Sequence, residues 1–335
     1  MHIGEESHDG ICPELKVDGW EVKQVNHINT TEVKMEDEYT GMFEMNTVEQ
    51  ERYLGDIISN DGENTKNITA RKNRGTGVVN EVISILEEIC FGKHHFIVAM
   101  VLRNALLISS LLTNAEAWYN LSNTEIIELE KVDESLMRKI LQCPVSTPKE
   151  MLYLELGSSP IRNIIKSRRL NFLHYILHED KTSLIYNFLQ AQLSEPTRQD
   201  WGESVQKDIE DFELNLTLNQ IEKMYQPKFH NLVKKKEQIH TLKYLNSVKA
   251  KHSKVLHISH SALEMADYLK PNGITNTEAR FLFSIRCRML DVRVNYEGQH
   301  SDTLCPLCAE EEDSQHHLLV CQVLGEACQP VVVVD

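Results

Sequence analysis

The spacing of apolar positions changes once along this chain. Residues 1–62 carry short extended stretches, whereas from residue 63 to about 300 the apolar positions recur at helical spacing. Near the N-terminus, Ile11 to Val17 and Trp20 to Val25 flank Asp18-Gly19, a pair suited to a tight hairpin turn. Residues 26–50 are polar, acidic and weakly patterned, and read as a loop or insertion. Tyr53-Leu54-Gly55-Asp56-Ile57-Ile58-Ser59 predicts one compact strand that ends in the turn Asn60-Asp61-Gly62.

Helix starts are better marked. Ser122-x-x-Glu125, Thr147-x-x-Glu150 and Thr275-x-x-Glu278 fit capping boxes, in which hydroxyl and carboxylate satisfy orphan backbone donors. Pro148 suits a first helical position, where its missing N–H costs nothing. A helix over 124–142 puts Ile126, Leu129, Val132, Leu136, Ile140 and Leu141 on one broad face. Gly157 is placed to close the helix that begins at Lys149. Residues 161–178 predict a helix that is basic first and apolar afterwards. Residues 194–202 read as a linker, and 203–255 as polar, lysine-rich helix. The expected fold class is therefore mainly α, with a small N-terminal β/loop region.

Composition narrows the class. Apolar residues make up 41% and charged residues 25%, which is globular usage. Eight cysteines in 335 residues are too sparse for a secreted disulfide scaffold, and Cys12, Cys90, Cys143 and Cys287 stand alone. Met1 to Gly19 is polar and acidic, unlike a signal peptide. Phe96 to Leu112 is the most apolar stretch, but Arg103 and Asn104 interrupt it, so a buried helix is expected rather than a membrane span. The net charge of −15 is uneven: residues 1–66 hold 16 acidic and 5 basic residues, 67–300 hold 27 and 30, and 301–335 hold 7 and none. A near-neutral middle with local basic clusters leaves phosphate contact open, since screening confines the relevant field to about 10 Å.

The most explicit chemistry lies at Cys305-Pro306-Leu307-Cys308, His316-His317 and Cys321. The spacing is C-x2-C-x7-H-x4-C with His316, or C-x2-C-x8-H-x3-C with His317. Three thiols and an imidazole suit a tetrahedral structural Zn²⁺, which leaves no open position for substrate. His317 is preferred, because on a helix it shares a face with Cys321. Leu304, Leu318 and Leu319 would pack around the ion, and Cys328 is set aside as a ligand. The acidic runs Glu36-Asp37-Glu38 and Glu311-Glu312-Asp313 read as solvated surface.

Several phrases together resemble the non-LTR retrotransposon reverse transcriptases whose elements end in a restriction-like endonuclease. Tyr53-Leu54-Gly55 is similar to the primer-grip end of their palm, and His2-Ile3-Gly4 and Cys12 to Val17 to the strands before it. Asn114 to Asn120 and Leu154-Glu155-Leu156-Gly157 resemble thumb phrases. Phe283 to Met289, followed by the Cys/His motif, resembles the approach to their zinc knuckle. The resemblance implies a distal palm remnant over 1–62, a helical thumb-like domain over 63–193, a helical linker over 194–300, a CCHC knuckle over 301–324 and a tail unlike the family over 325–335. It further implies RNA and DNA as partners, gripped weakly by this chain alone, and an intracellular, nuclear setting. No membrane and no small-molecule substrate are expected. The aspartate-bearing palm motif and the nuclease have no counterpart in the sequence, so no catalytic residue is assigned and a truncated, non-enzymatic chain is expected.

Arg71, Lys72 and Arg74 would stand at the start of the thumb against the template–primer backbone. Arg162, Lys166 and Arg169 share a helical face, with Arg168 beside them, and form the densest basic patch. Arg286 and Arg288, with Arg280 and Arg293, precede the knuckle. The alternative reading of the first group is a solvated helix end, and that of the Arg162 group is pairing with nearby carboxylates. The rival for the whole chain is a zinc-dependent protein-interaction module, or a relic without function.

Overall fold

The computed structural model describes residues 16–17, 20–22, 32–37, 41–46, 50–53, 56–59, 64–89, 91–194, 200–252, 255, 258–271, 273–290, 292–296 and 302–327. Two compact units divide the chain, Met1–Arg71 and Lys72–Asp335.

In the first unit, strands β1 (Lys16–Val17), β2 (Trp20–Val22), β3 (Glu32–Asp37) and β4 (Gly41–Asn46) form an antiparallel sheet in the order β1-β2-β3-β4. Val17 pairs with Trp20, as the expected hairpin requires. Within 26–50, however, β3 and β4 pair from Glu32↔Asn46 to Asp37↔Gly41, so Glu32–Asp37 and Gly41–Asn46 are strands and not loop. Four of the six residues of β3 are charged, which outweighed the alternation of Val33 and Met35 with Glu32, Lys34 and Glu36. The Tyr53–Ser59 segment is not one strand either. Strands β5 (Gln50–Tyr53) and β6 (Asp56–Ser59) pair antiparallel, with Tyr53 opposite Asp56. The expected turns at Asp18-Gly19 and Asn60-Asp61-Gly62 lie outside the described residues, as do His2-Ile3-Gly4 and Cys12 to Leu15.

Helix α1 (Thr65–Glu88) carries the chain onward. Its first two turns are tied to β6: Asn67 Nδ2 donates to Asp56 Oδ1 at 3.0 Å, and Ile57 N–H donates to Asn67 Oδ1 at 3.3 Å.

The second unit is helical: α2 (His95–Leu102), α3 (Ser109–Leu111), α4 (Asn123–Leu141), α5 (Lys149–Leu156), α6 (Ile161–His178), α7 (Leu184–Ser194), α8 (Trp201–Asp211), α9 (Leu218–Glu222), α10 (Gln226–Lys249), α11 (Asn276–Arg286), α12 (Gln315–Val320) and α13 (Gln322–Ala327). Helix α6 is central and packs against α4, α7, α8, α9 and α10. One core joins Leu170, Leu173 and Leu177 of α6 to Trp201, Val205, Phe229 and Val233, and so spans the boundary expected near residue 194. Of the expected linker, residues 195–199 lie outside the described residues.

Local signals mostly act as expected. Capping boxes form at Ser122/Glu125 and Thr275/Glu278. A third, unexpected box forms at Thr217/Gln220. The Thr147/Glu150 box does not form. Pro148 flanks α5 instead of opening it, and Thr147 and Glu150 are both buried. Gly157 closes α5 at φ +63°, and a Cβ there would stand 2.2 Å from Met265 N. Only glycine meets both demands, because Leu156 bridges Met265 and Ala266 N–H donates to Glu155 O at 2.8 Å.

The segment Gly92–Leu111 is long and apolar enough by composition to cross a membrane, but half of it is buried inside the molecule. Arg103 opens a π-helical stretch, Arg103–Ile108, and its side chain is fully buried in a bidentate pair with Asp133, Nε–Oδ1 2.6 Å and Nη2–Oδ2 2.6 Å. A charge seated this way marks an internal helix, as the sequence suggested.

Candidate metal centre

After α11, residues 302–321 fold back on themselves. Cys305 N–H donates to Glu311 O at 2.8 Å, Asp313 N–H donates to Thr303 O at 2.7 Å, and Leu304 bridges Glu312. This narrow hairpin carries Cys305 and Cys308, and Ala309 turns the chain after them at φ +56°. Ser314 then caps α12 by accepting from His317 N–H at 3.1 Å. The helix delivers His317, and Cys321 follows at its end, with Cys321 N–H on His317 O at 2.7 Å. Backbone hydrogen bonds therefore anchor Cys305 and Cys321, and the Ser314 cap anchors the start of the helix that carries His317.

The donor atoms of Cys305, Cys308, His317 and Cys321 lie within 4.8 Å of one another. Zn–S bonds of ~2.3 Å at tetrahedral angles put sulfurs roughly 3.8 Å apart, so an ion fits with little movement. Cys308 Sγ is 3.2 Å from His317 Nε2. The other ring nitrogen, Nδ1, is 2.9 Å from Glu311 Oε2. A carboxylate behind a ligating imidazole fixes the tautomer and aims Nε2 inward. His317 is buried and lies with the three thiols, whereas His316 is exposed.

The electrostatics favour a cation. The backbone N–H of Cys308, then that of Leu307 and the His317 ring, bring the Cys305 thiol down to about 7 against the effect of burial. Burial pushes His317 down, but Glu311, Cys305 and Cys308 outweigh it and raise the ring to about 9. At Cys321 the Leu324 N–H draws the pKa down, while burial and the neighbouring sulfurs push it up, and the balance is upward. Without an ion the sulfurs resist ionising together. A divalent cation removes that conflict and takes three thiolates at once.

Two expectations near the cluster are corrected. Glu311-Glu312-Asp313 is not simply solvated surface: Glu311 holds His317, and Asp313 is buried and accepts from Arg293 N–H at 2.9 Å. Leu304, expected to pack around the site, does so only in part, being 40% exposed. Cys328 lies outside the described residues. Cys143 and Cys287 stand apart from the cluster, and burial pushes both thiols up. Sequence reasoning missed the role of Glu311, whose signal, one acid among four consecutive acids, does not single it out.

The expected nucleic-acid contacts divide by burial. Arg71 is buried and donates to Asp56 Oδ1 at 2.5 Å. Arg162 grips Glu130 with two bonds, 2.7 and 2.8 Å. Lys166 meets Asp211 at 2.5 Å, and buried Arg169 pairs with Asp208 at 2.7 and 3.0 Å. Arg168 donates to Leu112 O. Arg286 donates twice to Glu155 Oε1, at 3.0 and 2.9 Å. Helical spacing brought Arg162, Lys166 and Arg169 onto one face as expected, but that face meets carboxylates of α4 and of the α8 region. Lys72 pairs with Glu128 and stays partly exposed. Arg74 and Arg288 are exposed. Arg280 lies over the Phe96 ring and reaches His95 Nε2 at 3.0 Å.

No family model, no curated protein and no solved structure matches this chain.

Proposed function

We infer that this chain is a non-catalytic, reverse-transcriptase-like clamp of the non-LTR retrotransposon kind. It combines distal palm strands, a helical thumb and linker, and a CCHC knuckle closed by structural Zn²⁺. The observation that carries the reading is the convergence of Cys305, Cys308, His317 and Cys321, in the order and spacing of the resemblance, behind a helical body. Four protein donors fill a tetrahedral ion, so the metal would hold shape and leave no position for substrate or activated water.

RNA or DNA would be held by the cations that remain exposed, Arg74 and Arg288, with Lys72 in part. Arg71, Arg162, Lys166, Arg169 and Arg286 instead hold the protein's own carboxylates. Nucleic-acid affinity of this chain alone is therefore weak, in keeping with a net charge of −15. The same internal pairing favours a second reading, a zinc-dependent protein-interaction module. The nuclear setting follows from the first reading.

Elemental analysis of reduced protein should find one zinc per chain; none would remove the foundation. Binding to a structured RNA should then fall with salt at a shallow slope, and Arg74→Ala with Arg288→Ala should reduce that slope by about two. No binding at low salt would favour the second reading. With Mn²⁺, primer and template, no nucleotide should be incorporated.

A further inference from the structure

Two features of the metal module bear on what it could bind. Its surface is apolar beside every ligand but His317. Leu304 is 40% exposed, Leu307 50%, Val320 57% and Val323 42%. Leu304 adjoins Cys305, Leu307 adjoins Cys308 and Val320 adjoins Cys321, so convergence of the ligands brings these side chains together on one small body. A hairpin and two six-residue helices do not cover them.

The module's charge is also of one sign. Residues 301–335 contain seven acids and no Lys or Arg. Glu310, Glu311 and Glu312 are exposed between the two halves of the metal cluster. Arg293, which lies just before the module, is spent on Asp302 at 2.7 Å. Three thiolates and one imidazole around a divalent ion would add a further negative charge. Such a surface repels a phosphate backbone, whose binding depends on Lys and Arg. Exposed aliphatic side chains rimmed by acids instead match a partner that offers apolar anchors flanked by cations.

From this juxtaposition we propose that the Cys/His module is a docking site for a cationic, apolar-anchored protein segment, and that it takes no direct part in holding nucleic acid. Leu304, Leu307, Val320 and Val323 supply the apolar contact, and Glu310 and Glu312 set the sign of the partner. The inference rests on the metal reading, since only a closed module brings the four side chains together. The nucleic-acid grip of the helical body is a separate matter.

The test uses the full zinc-loaded chain, with zinc content measured first. A chain without zinc contradicts the metal reading; the remaining results bear on docking alone. The probes are a fluorescent amphipathic peptide of leucine and lysine, its leucine–glutamate counterpart and a single-stranded RNA. The lysine peptide should bind and the glutamate peptide should not. Leu307→Ser with Val320→Ser should weaken the lysine peptide by about tenfold or more at unchanged zinc content. Glu310→Gln with Glu312→Gln should weaken it less and flatten its salt dependence. RNA binding should be unaffected by either pair. Peptide affinity unchanged in the Leu307/Val320 variant would overturn the proposal. So would RNA binding lost with it, which makes the module a nucleic-acid reader. A peptide that binds only after Val331 to Val334 are deleted would identify the chain's own valine run as the occupant, and would equally sink the idea.

Discussion

Leu170, Leu173, Val205, Phe229 and Val233 of the helical body are sealed from solvent, whereas Leu304, Leu307, Val320 and Val323 of the metal module stand in it. The body spends its polar groups on one another as well: Arg103 on Asp133, Arg162 on Glu130, Arg169 on Asp208, Arg286 on Glu155. The module instead points its three sulfurs and one ring nitrogen at a common centre. One region is held by apolar burial that tolerates ion pairs. The other buries few apolar side chains, and its four donor atoms lie close enough to hold an ion. Chain length alone does not explain stability here; the kind of side chain that meets at each centre does.

Removing the metal should produce the largest effect and should separate the two regions. Apparent zinc-binding energies of roughly 10–16 kcal/mol act as folding energy in small Cys/His modules. Chelation, or Cys308→Ser, should abolish hydrogen-exchange protection between Cys305 and Cys321 and leave the far-UV helical signal almost intact. Loss of protection spreading into α6 would show that the body also depends on the ion.

The next test attacks the body. Asp133→Ala leaves the Arg103 guanidinium buried, hydrogen-bonded to Asn104 Oδ1 at 2.9 Å and Ser159 O at 3.4 Å, with Glu237 the remaining carboxylate that acts on it. Breaking a buried pair from one side costs about 3–5 kcal/mol. The denaturation midpoint should fall accordingly with zinc content unchanged. Arg103→Met combined with Asp133→Leu should cost much less, because no charge is left stranded. A single variant as stable as the parent would mean that water reaches Arg103, and that the body is less sealed than its burial suggests.

Legibility in the sequence followed the range of the interactions. The Cys/His spacing, Ser122 and Thr275 as caps and Gly157 as a helix end were readable because each depends on residues a few positions apart. The preference for His317 also rested on a local relation, four residues to Cys321. What failed was set by distant partners. Arg162, Lys166 and Arg169 share a face, but only the fold shows Glu130, Asp211 and Asp208 opposite them, 32, 45 and 39 residues away in sequence. Thr147 looked like a cap until burial took it. The strand at Glu32–Asp37 was passed over because four of its six residues are charged, although Val33 and Met35 alternate with Glu32, Lys34 and Glu36, and Gly41–Asn46 shows no strict alternation.

Acid should break the comparison more gently and in a defined order. Burial alone would push Glu155 up, but hydrogen bonds from His260 Nε2 at 3.1 Å, Tyr268 Oη at 2.7 Å and Arg286 outweigh it and hold the carboxyl below its usual range. A carboxylate depressed on folding contributes stability that is complete above its unfolded value, ~4.3, and is lost as pH falls through the lower folded value. Metal ligands are lost earlier, because protons compete with the ion for thiolates and imidazole. Titrating the zinc-loaded chain downward should therefore release zinc first, with the module's protection, and the Glu155 contribution to the body should be lost only below about pH 4.3. Glu155→Gln should flatten the second step and leave zinc release where it was, since Glu155 joins α5 to α11 and to the segment carrying His260 and Tyr268, not to the metal ligands. Zinc release that moves with Glu155→Gln would mean that α11 passes strain into the module, and that the two regions are not energetically separate.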